Sequence, residues 1–187
     1  LEHVPERLRC PGFLNAERWI GDDNPNFAVA TYDLETHGAL STPEYLAVGG
    51  ANASVWTKRV TAKATRIMRF EGHQLVPGDL VAPAGANGLL VASMNVDPAA
   101  EAELHEWYNT EHLPFLGAVP GVLSARRFQA GVDGLARKYL ALYHLTDTAV
   151  SRSDAWTRAA RTPWSARMNR FFSDLLVIRC RRYQRAA

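Results

Sequence analysis

The chain has 187 residues, 47% of them apolar and 21% charged, with a net charge of +2. That is enough apolar material for one large domain or two small ones, and too little charge for a disordered tail or for nucleic-acid binding on charge alone. No run of 18 apolar residues is present, so no membrane-spanning helix is expected, and the two cysteines, Cys10 and Cys180, fit no CxxC pattern and read as reduced thiols of a cytoplasmic protein.

Glu2-His3-Val4-Pro5 opens the chain, and Pro11-Gly12 follows it. Phe13 to Ile20 reads as a strand, Asp22 to Pro25 as a turn, and Phe27 to Leu34 as a second strand. Ser41-Thr42-Pro43 is a helix start, with a capping hydroxyl and proline at the first helical position. Trp56 opens a further helix and is expected in the core. Lys63 to Gln74 is expected to be a strand, and Val76 to Asn87, rich in Pro, Gly and Ala, a linker.

From Gly88 the pattern is fuller. Gly88 to Val96 is β-branched and apolar, a strand. Asp97-Pro98 starts a helix carrying Leu104, Trp107, Tyr108 and Leu113 mostly along one face, and Pro114 bends or restarts it. Val122 to Gln129 and Lys138 to Leu145 are strands joined across Asp133-Gly134. Ser151 to Arg161 is a helix, Thr162-Pro163-Trp164 opens another, and Leu175 to Tyr183 is the last strand. The order is β-α-β-β-α-β, the ferredoxin-like unit.

The two passages match. Glu2-His3-Val4-Pro5 and Pro11-Gly12 recur at the same interval as Glu111-His112-Leu113-Pro114 and Pro120-Gly121, and Tyr32, Trp56 and Arg69 stand where Tyr143, Trp164 and Arg179 do. The expected organisation is therefore a duplication: residues 1–75 as one ferredoxin-like repeat, 76–87 as linker, and 88–187 as a second, complete repeat. The first repeat lacks a counterpart of Gly88 to Thr110, so about 20 to 30 further residues are expected ahead of Leu1 in the natural protein, the size of one strand and one helix. Each repeat leaves one sheet face bare, and packing sheet to sheet would bury both in an α+β barrel made from one chain. A short linker holds the partner at an effective concentration on the order of mM.

The Trp107-Tyr108-Asn109-Thr110-Glu111-His112-Leu113-Pro114 run, with Pro-Gly beyond it and a Tyr-x-Leu strand, resembles the dimeric α+β barrel superfamily, most nearly its EthD-like branch. The resemblance implies a pseudo-dimeric barrel with a small-molecule cavity. It also implies a range of activities: polyketide cyclases, muconolactone-type isomerases, cofactor-free monooxygenases and haem-degrading enzymes share the fold. A fold does not choose among them.

The candidate residues follow. His112 is the expected acid or base, matching the place of a catalytic histidine in methylmuconolactone-isomerase-like relatives. Its packing alternative is a bond to backbone at the helix break. Glu111 and Glu2 precede the histidines but point elsewhere on a helix. Tyr143 and His144, on opposite faces of one strand, are further catalytic candidates. His3, Arg127, Arg18, Ser93, Asn95, Trp107 and Trp164 are candidate substrate-binding residues. A buried arginine at 127 or 18 could hold a carboxylate in fork geometry, or make a strand-end ion pair. No metal motif, phosphate loop or nucleophile elbow occurs. The expected function is thus cofactor-independent proton transfer, of isomerase, cyclase or lyase type, on an apolar or aromatic carbonyl metabolite. A non-catalytic binding module is one alternative. Haem handling or cofactor-free monooxygenation is another. No nucleic-acid or membrane partner is expected.

Overall fold

The computed structural model describes residues 3–184; Glu2 and the last three residues of the expected second repeat lie outside them. The chain forms two compact units, Leu1–Arg18 with Ala30–Arg69, and Trp19–Val29 with Phe70–Ala187. Seven strands line up in the order β2-β1-β7-β4-β6-β5-β3. They are β1 (Phe13–Gly21), β2 (Ala28–Leu34), β3 (Gly72–Val76), β4 (Gly88–Val96), β5 (Val122–Ala130), β6 (Tyr139–Leu145) and β7 (Phe172–Arg182). The pairs β1–β7, β7–β4, β4–β6, β6–β5 and β5–β3 are antiparallel. Among the described residues no helix is long and apolar enough to cross a membrane.

The smaller unit holds α1 (His3–Leu8), α2 (Pro43–Val48) and α3 (Val55–Thr61). Thr42 and Ser54 cap the last two, each hydroxyl accepting a backbone N–H three residues on, at 3.2 Å. Its core is Cys10, Phe13 and Ala39, with Tyr32, Leu34 and Tyr45 against them. Trp56, expected in the core, is 53% exposed, and Val55 and Val60 are exposed beside it. The expected strand over Lys63 to Gln74 is also corrected. Residues 64–71 form no strand, and β3 begins at Gly72. In the larger unit the last strand, β7, lies beside β4, the first one. Among the described residues the first passage has no strand before β1, so residues 64–71 have no such ladder to join.

The larger unit runs β4, a long helical segment, β5, β6, two helices, β7, with β7-β4-β6-β5 as neighbours. The helical segment comprises α4 (Glu101–Trp107), a π-turn over Tyr108–His112, and α5 (Leu113–Gly117). Asp97 starts it, its carboxylate accepting from the Ala99 amide at 2.9 Å. Pro114 does not end the helix; it falls in the first turn of α5, where its missing N–H costs little. The Leu113 amide instead reaches back five residues, to the Tyr108 carbonyl. That extra residue shifts the phase, so Leu104, Trp107, Tyr108, Leu113 and Leu116 are all buried on one side. They meet Leu90, Met94, Tyr139, Ala141, Tyr143 and Leu145 of β4 and β6 in one core. Fully burying a side chain of this size stabilises by about 1.5–3 kcal/mol. Beside this segment, α6 (Asp154–Ala160) and α7 (Pro163–Met168) are capped by Ser153 and Thr162 and add Trp156 and Met168 to the same core.

Gly12 and Gly121 follow the recurring prolines and share one backbone state, with φ of +80° and +92°. Each leads into a strand, β1 or β5, through a left-handed residue that a side chain would strain.

Candidate functional site

Strand alternation divides the candidates of the larger unit between two faces. Tyr139 and Tyr143 of β6 face the helices, with Leu90, Met94 and Arg127. His144 faces away. It is fully buried, its Nδ1 lies 3.3 Å from the Ser124 hydroxyl, and its ring meets the edge of Trp19 at 5.8 Å. Tyr143 and His144 therefore do not share a site. Ser93 donates to the Tyr139 carbonyl at 3.0 Å. Asn95 ties strand ends together, donating to the Ala136 carbonyl and the Asp174 carboxylate and accepting from the Lys138 amide. Both residues are taken up by the sheet.

On the helix-facing side a polar cluster lies inside the apolar layer. Arg127 of β5 is 1% exposed. Its Nη1 donates to His105 Nδ1 at 3.1 Å and approaches Asn109 Oδ1 at 3.4 Å. Its Cζ lies 4.6 Å from the ring centre of Tyr108 and 5.2 Å from that of Tyr139. A guanidinium only donates, so His105 Nδ1 accepts and the proton sits on Nε2. That nitrogen faces the Tyr139 hydroxyl at 3.3 Å, and the hydroxyl donates to Glu101, which also pairs with Lys138. A continuous line thus runs from buried cation to surface carboxylate. Glu101, His105 and Asn109 are spaced by four on the helix, a spacing readable in the sequence.

Burial sets the electrostatics. Desolvation first, and the Arg127 charge second, lower the pKa of His105. Arg127 is itself lowered, mainly by desolvation. Tyr143 is raised well above the ordinary phenol value by burial, and its hydroxyl has no hydrogen-bond partner among the described residues. Tyr108 rises to about 12 for the same reason. The Nε and Nη2 of Arg127 have no partner among the described residues either.

His112 sits at the end of the π-turn, stacked on Trp107 at 4.1 Å and edge-on to Tyr108 at 5.1 Å. Its buried Nδ1 is unpartnered, and burial lowers its pKa to about 4. Glu111 accepts from the Thr162 hydroxyl instead of pairing with it. Trp107 is core, 2% exposed. Trp164 is half-buried, its indole donating to Glu103 at 2.8 Å. In the smaller unit, His3 Nε2 bonds the Tyr32 hydroxyl at 2.9 Å, and Arg18 is exposed, unlike Arg127.

Three solved structures under 15% identical in sequence superpose on the chain. A protein provisionally named a monooxygenase, from Lactobacillus acidophilus NCFM, matches at TM-score 0.62 and 10% identity, over 97% of this chain and 84% of its own. An anthrone oxidase-like protein matches at 0.63 and 13%, over 98% and 83%. One provisionally named a chlorite dismutase matches at 0.61 and 14%, over 97% and 82%. The chain has their fold. It is the α+β fold of the dimeric α+β barrel type that the resemblance implied. No protein-family model matches the sequence, and no curated protein is significantly similar to it.

Arg127 and Tyr139 flank both ring nitrogens of His105, which leaves that ring no position for a haem iron. Among the described residues no group of three or more His, Cys, Asp or Glu could hold a metal ion. A hollow of about 330 Å³ is lined by Phe115, Val119, Pro120, Ala155 and Arg158, on α5, α6 and the turn before β5, and takes in neither Arg127 nor the expected histidines.

Proposed function

We propose that the chain is a small-molecule enzyme that takes a proton from an aromatic or carbonyl-bearing compound and holds the resulting anion against the helix-facing side of β5 and β6. One observation carries this reading: Arg127 and the Tyr143 hydroxyl, buried in one cluster, both present donors with no acceptor. Fixed donors in a water-poor layer stabilise charge that develops during reaction. His112 is the proton acceptor in this scheme. Its low pKa keeps it unprotonated in the free enzyme, and an adjoining anion would raise its basicity. His105, Tyr139 and Glu101 position Arg127. His144 stays outside the scheme.

A second reading is oxygen-dependent. The names of two of the similar structures, a monooxygenase and an anthrone oxidase-like protein, favour an anion that goes on to react with dioxygen. Both readings share the first step. We further propose that the halves of the chain descend from one ferredoxin-like unit of the EthD-like branch, packed as a pseudo-dimer in a cytoplasmic protein.

Anthrone, whose methylene protons are acidic, tests both readings. Under nitrogen in D2O the protein is expected to accelerate deuteration of that carbon, and His112→Ala to lower the rate by at least ~100-fold. In air, oxygen uptake accompanies the reaction if the second reading holds. Deuteration no faster than in buffer overturns the proposal, and a His112→Ala rate within about threefold of wild type removes His112 from it.

A further inference from the structure

Resting on that reading, we infer that the open edge of Arg127 is also a docking point for a carboxylate, so that aromatic carboxylic acids bind in preference to neutral ketones such as anthrone and to phenols. The argument is which edge of the guanidinium is left over. Nη1 is held by His105 and Asn109. The Tyr108 and Tyr139 rings lie close to Cζ. What remains is Nε–H and Nη2–H, and both are buried without a partner. These two bonds point the same way along one edge of the planar group, at the spacing of the two oxygens of a carboxylate. A phenolate or enolate oxygen would fill only one of them.

The charge balance points the same way. Glu101 is the carboxylate at the far end of the line and is already engaged by Lys138 and Tyr139. Among the described residues the cation thus has π faces and neutral acceptors around it and no carboxylate on its open edge. A buried cation in that state is costly, and a ligand anion relieves the cost. His105 and Tyr139 prevent the guanidinium from turning its open edge toward Glu101. The Tyr108 ring, in the π-turn Tyr108–His112, lies against the guanidinium where the regular i→i+4 ladder is already interrupted.

The test uses the full 187-residue chain and three probes of one shape: 2-naphthoate, its methyl ester and 2-naphthol. Binding is followed by the side-chain Nε–H resonance of Arg127, assigned by its absence in Arg127→Lys. The naphthoate is expected to shift that resonance and to bind at least tenfold more tightly than the other two. Arg127→Lys keeps the cation but not the two-pronged edge, and is expected to lose at least tenfold in naphthoate affinity. Arg127→Met, which removes the buried charge, serves if the lysine variant does not fold, with the same loss expected. Equal binding of naphthoate and naphthol overturns the carboxylate assignment and leaves the proton-transfer reading in place. Naphthoate that does not bind, or binds without moving the Arg127 signal, also overturns it. Anthrone deuteration, measured on the same sample, reports separately on the proton-transfer reading.

Discussion

Arg127 Nη1 and His105 Nδ1 stand 3.1 Å apart, and because the arginine can only donate, this contact fixes the tautomer of the histidine. His105→Ala removes the anchor and leaves another donor of a buried cation unmatched. A stability loss of about 1–3 kcal/mol is expected in urea denaturation. His105→Gln, which can still accept from Arg127, is expected to recover part of it.

Tyr143 gives the opposite sign. Its hydroxyl is buried with no partner, so Tyr143→Phe is expected to raise stability by about 1 kcal/mol while slowing the proposed reaction. Equal or lower stability in thermal and urea unfolding would show that the hydroxyl has an acceptor.

The pH dependence follows from His112. Its folded pKa is about 4, against 6.5 for the unfolded side chain. Below pH 6.5 the unfolded chain takes up a proton that the fold refuses, so stability is lost as pH falls from 6.5 toward 4. The loss from this group is up to about 3 kcal/mol. His112→Phe keeps an aromatic ring against Trp107 and is expected to flatten the stability profile over that window. Unfolding measured from pH 4 to 7 in both proteins checks it.

Gly121 is expected to tolerate no side chain. A Cβ there would lie 2.6 Å from Val150 Cγ2 and 2.9 Å from Thr146 Oγ1, at a φ of +92°. Gly121→Ala is expected to cost about 1–3 kcal/mol. Gly134, also left-handed but with open space around it, is expected to lose less on the same substitution. Chemical denaturation of the two variants side by side compares them.

Much of the larger unit was legible because its signals are local. Asp97-Pro98 and Thr162-Pro163 mark helix starts through carboxylate or hydroxyl caps, and the alternation in Tyr139–Leu145 marks a strand, whereas α6 begins at Asp154 and not at the expected Ser151. The recurring Pro-Gly was legible too, and both glycines prove to need the left-handed backbone. The site was less so. His112 lies in a repeated motif, whereas the Arg127 cluster is assembled from a helix and two strands distant in sequence. Lys63 to Gln74 has the composition of a strand, but composition does not supply a neighbour to pair with. Trp56 shows the same limit: recurrence with Trp164 predicted burial, and exposure depends on what packs there.

The π-turn has a consequence for how this helix can vary. Five residues close a ring that four would close elsewhere, so Tyr108–His112 acts as a phase adjuster between two hydrophobic stripes. Deleting one residue there, such as the exposed Thr110, would let regular winding resume with Leu113 and Leu116 still facing the sheet, whereas a further insertion would swing them about 100° around the axis. Changes of length in this stretch are therefore constrained by rotation, and a loss is tolerated better than a gain.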